Sequence, residues 1–157
     1  MSSYADFKRW MYRGARPHRL ARLLNSVYAA LASSGVASNY LVNLEVIGRK
    51  SGQAVVLPVV LTVVDGQRYL VSMLGENAQW VLNVHAAHGK AALLSSTREE
   101  VQLEEIPTDQ RAPILKAYLK RAPGARPHIP VSKDARLEEF GKIAKGFPVF
   151  RIASHES

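Results

Sequence analysis

The apolar positions of this chain fall into two regimes. In the first third, Leu20, Leu23, Leu24, Val27, Tyr28 and Leu31 recur at helical spacing. Arg16, Arg19 and Arg22 lie largely on the other side, Pro17 suits the first turn, and Gly35 is a natural stop. A shorter helix is expected around Tyr4 to Tyr12. From Leu41 the period changes. "LVNLEVIG" alternates in part, and "AVVLPVVLTVV" is an almost unbroken β-branched run, too apolar for a strand with one wet face. Pro58 within it calls for an edge, a bulge or a bend. Asp65-Gly66 is a hairpin turn, with "QRYLVSM" as the returning strand.

The remainder alternates helices with strands. "GENAQWVLNVHAAHG" reads as a helix over 78–88, with Asn77 as N-cap and Gly89 past its end. "KAALLSS" and "EEVQLEEI" form a second hairpin across Thr97-Arg98, with Val101, Leu103 and Ile106 set against Glu100, Gln102 and Glu104. "PTDQRAPILKAYLKRA" is a helix with Thr108 as N-cap, a short helix follows at Leu137 to Ile143, and "FPVFRI" closes the chain as a strand. Six strands in hairpins and singles, with helices inserted and appended, predict an α+β fold: a small antiparallel barrel with flanking helices. Hairpin-length connections cannot join parallel strands, which argues against a doubly wound sheet. Residues 1–38 read as a basic helical extension and 39–157 as the barrel domain.

At 157 residues, with 47% hydrophobic and 22% charged positions, the chain has the makeup of one globular domain. It has no cysteine, which excludes disulfides, thiol nucleophiles and thiolate metal sites. No apolar run is long enough to span a bilayer, and the N-terminus lacks a signal-peptide core, so a cytoplasmic location is expected. The formal charge of +8 favours an anionic partner: a phosphate- or carboxylate-bearing molecule, anionic lipid or nucleic acid.

Among candidate sites, "IGRKSGQ" places Arg49 and Lys50 in a turn bracketed by Gly48 and Gly52. It is no P-loop, because the glycine spacing is wrong and a strand follows instead of a helix. Alone it reads first as a charged hairpin turn. Its glycines and Ser51 would nonetheless let the backbone and a hydroxyl approach a phosphate. Trp80 and Asn83 share a helix face, whether as a buried pair or as a ligand-facing one. His85 and His88 lack a third ligand nearby and read as solvent-facing, so no metal is expected. No nucleophile elbow is present. Glu99, Glu100, Glu104 and Glu105 read as a solvated face. No nucleic-acid-reading motif is found.

In the order "IGRKSGQ … P … DGQRYLVSMLG … W..N", across roughly Leu41 to Leu94, the chain resembles the deazaflavin-dependent oxidoreductases. These are the split-barrel reductases of actinobacteria that use coenzyme F420 and include the deazaflavin-dependent nitroreductases. The resemblance implies a six-stranded split β-barrel of the FMN-binding, flavin-reductase type, with F420 held between barrel and helices. Arg49, Lys50, Ser51 and Gly52, following Gly48, would lie by the cofactor's phosphate and oligoglutamate tail. Pro58 would stand beside the deazaflavin ring. Ser72, Met73, Leu74 and Gly75 occupy the place of the family's glycine-containing loop, leading through Asn77 and Ala78 to Trp80 and Asn83 on the cofactor-facing helix. The chain departs from the family pattern at Val55, where a basic residue is common, and at "SMLG", which lacks the loop lysine. It also has no tyrosine after Tyr118.

The expected activity is hydride transfer from reduced F420 to an electron-poor acceptor such as a quinone, enone or nitro compound. Since the cofactor performs that chemistry, no dedicated catalytic residue is required. Two other readings stay open: a split barrel holding FMN or another ligand, and a non-enzymatic basic protein of the membrane surface. For the latter, "FKRWMYRGARPHRLARLL" combines five arginines and a lysine with Phe7, Trp10 and leucines, as interfacial helices do. The same segment could pack on the barrel or cover its pocket. A homodimer is compatible with such a barrel.

Overall fold

The computed structural model describes residues 40–122 and 125–154. The expectations for the helical extension at 1–38 therefore lie outside the described residues. Within them, seven strands form one antiparallel sheet: β1 Leu41–Ile47, β2 Ala54–Val60, β3 Thr62–Val64, β4 Gln67–Val71, β5 Lys90–Leu94, β6 Arg98–Glu105 and β7 Val149–Ser154. Three helices accompany them: α1 Gln79–Ala86, α2 Ala112–Arg121 and α3 Leu137–Ile143. None of the described helices is long and apolar enough to cross a membrane.

The sheet order is β2-β1-β5-β6-β7-β4-β3. Its two end strands are consecutive in the chain, separated only by Leu61. One apolar run thus supplies both edges, which is possible only if the sheet curls round on itself into the barrel that the sequence predicts. The break at Leu61, whose N–H turns to the Tyr40 carbonyl at 2.8 Å, makes seven strands of the expected six. Pro58 sits in β2 opposite Asn43 of β1. An edge tolerates a residue that cannot donate to the ladder. Asp65 and Gly66 both take positive φ, 50° and 77°, as a two-residue turn between right-twisted strands demands.

The apolar residues fall into two layers. Inside the barrel, Val42, Leu44, Val46, Leu70, Leu93, Val101, Leu103, Phe150 and Ile152 pack with Val81 and Val84 of α1. Outside, Ile114, Leu115, Tyr118 and Leu119 of α2 and Phe140 of α3 pack on Leu41, Val60, Val71 and Val149. Each fully buried Leu, Val or Phe contributes about 1.5–3 kcal/mol relative to an exposed one.

Several local expectations are corrected. Ala78, not Asn77, is the N-cap of α1, and no side chain caps it. Thr108 opens a 3-10 turn, Thr108–Gln110, and Arg111 is the N-cap residue of α2. The second hairpin turns at Ser95–Thr97, with Arg98 already paired to Leu94. Nor are the β6 carboxylates simply solvated. Glu99 binds Arg68 at 2.7 Å, Glu104 binds Arg151 at 2.8 Å, and Glu105 binds both His85 at 2.8 Å and the buried Arg111 at 3.0 Å.

Candidate functional site

The two mouths of the barrel are built differently. Strand register places Arg68 and Glu99 on the interior face at one end, where Ser154 also donates to Glu99 at 3.2 Å. The Arg68 guanidinium holds the Glu99 carboxyl below its usual range, mainly through the paired hydrogen bonds at 2.8 and 2.7 Å, and Arg68 is itself raised by the same bonds. A partly exposed ion pair spans this mouth.

At the other mouth meet the β1–β2 turn, the loop after β4, and α1. The turn is a tight loop: Gly48 and Gln53 are bridged by Gly48 N–H to the Gln53 carbonyl at 2.8 Å, and Gly52, at φ +70°, returns its N–H to the Gly48 carbonyl at 2.9 Å. Ser51 Oγ accepts the Gln53 N–H at 3.1 Å. A Cβ on Gly48 would lie 2.8 Å from Ser51 Oγ, so glycine lets the loop close. The loop after β4 is tied by Ser72, whose Oγ donates to the Gly75 carbonyl at 2.6 Å, and Gly75 takes φ +97°. Ser72 is buried, Met73 is half-buried against the outer apolar layer, and Leu74 is 66% exposed. Asn77 is exposed and Ala78 half-buried at the start of α1.

These two loops are joined through the helix. Arg49 donates its backbone N–H to Asn83 Oδ1 at 3.0 Å, its Nη1 to the same oxygen at 2.9 Å, and its Nη2 to Gln79 Oε1 at 3.0 Å. Arg49 is therefore not loose in solvent; it docks the turn onto α1. Lys50 is exposed beside it. Among the described residues, no carboxylate pairs with either cation. The Trp80 ring tilts against Phe150 at a centroid distance of 5.5 Å.

Along the interior face of β2, Val55, Leu57 and Val59 are only half-buried, as is Leu61 beyond them. They belong to the same apolar layer as Ala78 and Trp80. An apolar wall thus runs from the barrel interior to the cationic turn. Pro58, paired with Asn43, alternates to the opposite face with Val56 and Val60, so its side chain is not part of this wall. The structure brings Gly48–Gly52, Ala78, Trp80 and Asn83 to one mouth. Gln79, which completes the hold on Arg49, was missed by the sequence reading. Its signal was there: Gln79 and Asn83 are two amides four apart on one helix face.

His85 is exposed on α1, 5.9 Å from Phe150 by ring centroids, and His88 is exposed in the bend that follows the helix, so the two do not share one helix as the sequence suggested. No group of three metal-ligating side chains exists among the described residues.

A deazaflavin cofactor has a planar, largely apolar ring and an anionic tail. The half-buried wall, ending at two cations without carboxylate partners among the described residues, fits both parts, so Arg49, Lys50 and the Ser51 hydroxyl would hold the tail and Val55, Leu57 and Trp80 would flank the ring.

Comparison with known proteins bears on the same region. The model of the F420H(2)-dependent quinone reductase family matches residues 21–128. Among solved structures, an F420-H2 dependent reductase (FDR-A) is 20% identical, covering 74% of this chain and 96% of its own, with a TM-score of 0.51. A conserved hypothetical protein from Mycobacterium tuberculosis is 15% identical over 83% of this chain and 80% of its own, at TM-score 0.54. A third, solved as a domain-swapped dimer, is 17% identical over 87% of this chain and 98% of its own, at 0.51. At these identities the structures show the shared split-barrel fold alone. No curated protein matches the sequence. The family match covers most of the chain, from 21 to 128 of 157 residues, and the chain accordingly belongs to the F420H(2)-dependent quinone reductase family, an oxidoreductase that uses coenzyme F420.

Proposed function

We propose that the acceptor is an electron-poor, apolar small molecule, a quinone before an enone or nitro compound, reduced in the mouth between β2 and α1. When bound, F420 supplies the hydride. The chain's part is to hold the ring against the apolar wall, keep water from it, and grip the tail at the turn. The observation that carries this reading is the half-buried series Val55, Leu57 and Val59 beside Trp80, ending at Arg49 and Lys50. The family's name favours the quinone. The absence of any tyrosine after Tyr118 removes residues that line the substrate side in the nitroreductases that the chain resembles, which weighs against nitro compounds.

Cofactor-site roles are assigned within this reading to Gly48, Arg49, Lys50, Ser51, Gly52, Ala78 and Trp80. Ser72, Met73, Leu74, Gly75 and Asn77 shape the loop that leads into α1. Titration of oxidised F420, followed by fluorescence quenching and difference spectra, should saturate at micromolar concentration. Reduced F420 should then be consumed faster with a soluble naphthoquinone than with a nitroimidazole of similar potential. Saturable binding without quinone turnover would sink the acceptor assignment. A homodimer also fits the fold, and sedimentation analysis would decide it.

A further inference from the structure

We propose that Asn83 and Gln79 form an uncharged cradle that fixes Arg49 while leaving its full positive charge for an anionic group of the cofactor. Asn83 is then a positioning residue that acts through Arg49 and not a cofactor contact. The inference rests on the reading that the Gly48–Gly52 turn grips the cofactor's tail.

Three observations carry it. First, Asn83 is only 5% exposed, and its Oδ1 accepts two hydrogen bonds from Arg49, at 3.0 and 2.9 Å. A carbonyl-type oxygen has two lone pairs, so this acceptor is fully used. Second, the cradle spends only two of the five guanidinium N–H groups, one on Asn83 and one on Gln79, and the others keep donor capacity.

Third, the arginines of the neighbouring strands are held differently. Arg68, Arg98 and Arg151 meet Glu99, Glu45 and Glu104 at 2.7, 2.7 and 2.8 Å, and Arg111 meets Glu105 at 3.0 Å. A carboxylate at position 79 or 83 would occupy nearly the same volume and make a stronger, charge-assisted bond. It would also cancel the charge. Two amides hold the same geometry without doing so, which suits a cation meant for a ligand.

The test is titration of the full chain with oxidised F420 across a salt series, with thermal unfolding alongside. Arg49→Ala should weaken binding at least tenfold, and Asn83→Ala should weaken it comparably. The double variant Arg49→Ala/Asn83→Ala should bind no worse than Arg49→Ala alone. Asn83→Asp keeps an acceptor in place and should unfold no earlier than the parent. It should still bind roughly tenfold more weakly, with a shallower dependence on salt, because the carboxylate neutralises Arg49.

Losses that multiply in the double variant would show that Asn83 touches the cofactor and would overturn the proposal. So would an Asn83→Asp variant that binds as tightly as the parent, and this variant decides the matter if Asn83→Ala fails to fold. If Arg49→Ala alone leaves affinity unchanged, the assignment of the turn to the tail falls, and the proposal with it.

Discussion

Thr62 is fully buried, and its Oγ1 has no hydrogen-bond partner. It begins β3 opposite Tyr69, immediately after the bend at Leu61, where the chain passes from one edge of the sheet to the other. A buried hydroxyl that has left water without a replacement partner costs roughly 1–3 kcal/mol. Valine has nearly the same shape and no polar atom. Thr62→Val should therefore raise the unfolding free energy by about 1 kcal/mol or more in urea titrations, and a loss of stability would mean that the hydroxyl is satisfied in solution. Lys50 presents the opposite case, an exposed cation with no carboxylate partner among the described residues. It adds charge to the turn without bracing it, so Lys50→Ala should leave stability unchanged and weaken F420 binding several-fold, more than it alters the turnover of the bound complex. Equal affinity in variant and parent would remove Lys50 from the site.

The helix α1 links fold and site, and its end shows what the chain pattern reveals and what it hides. After Ala86 the backbone turns left-handed at His88, φ 55°, and Gly89, φ 85°, with the Gly89 N–H returning to the Val84 carbonyl at 2.9 Å. A glycine past the helix is visible in sequence; that a histidine shares the left-handed bend is not. Gly89 also passes so close to β6 that an added Cβ would lie 2.4 Å from the Leu103 carbonyl oxygen and 2.5 Å from Gln102 Nε2. Gly89→Ala combines a strained φ with a backbone collision, and should cost at least 2 kcal/mol, read as a lowered midpoint in thermal or urea unfolding. A variant as stable as the parent would show that β6 can yield to a side chain at position 89. The strands were legible because hairpin turns and β-branched runs are local signals, and the Asp65-Gly66 turn forms as expected. The split at Leu61 was hidden because only the closure of the whole sheet requires it. The helix starts were misplaced by one to three residues because Asn77 and Thr108 have capping chemistry but the chain geometry uses Ala78 and Arg111 instead. At the site, the turn and the Trp80–Asn83 helix were readable by order and spacing. The bond between them spans 34 positions and had no local signature. The ion pairs of Glu99 with Arg68 and of Glu104 with Arg151 had none for the same reason.

The molecule as a whole carries two apolar layers that respond to opposite ends of the pH scale. At the charged mouth, the hydrogen bonds from Arg68 hold Glu99 below the usual carboxylate range. The folded protein therefore takes up that proton less readily than the unfolded chain. The stabilisation is complete above the unfolded pKa of about 4.3 and is lost as pH falls through the lower, folded one. In the helix layer, Tyr118 is 4% exposed, and burial pushes its phenol well above the ordinary value of about 10. The sign is reversed in pH: the neutral phenol is the form that the core accepts, so the contribution is complete below about pH 10 and falls as the unfolded chain ionises above it. Two substitutions separate these limbs. Glu99→Gln should flatten the acid limb of a plot of unfolding free energy against pH and leave the alkaline limb in place. Tyr118→Phe should flatten the alkaline limb and leave the acid limb unchanged. Each effect arises in a different layer, with Glu99 at the barrel interior and Tyr118 on the buried face of α2, so the double variant should show both changes added together. Persistence of the acid limb in Glu99→Gln would mean that other carboxylates, such as Glu105 beside Arg111, govern acid unfolding, and the Arg68–Glu99 pair would lose its assigned role in acid stability.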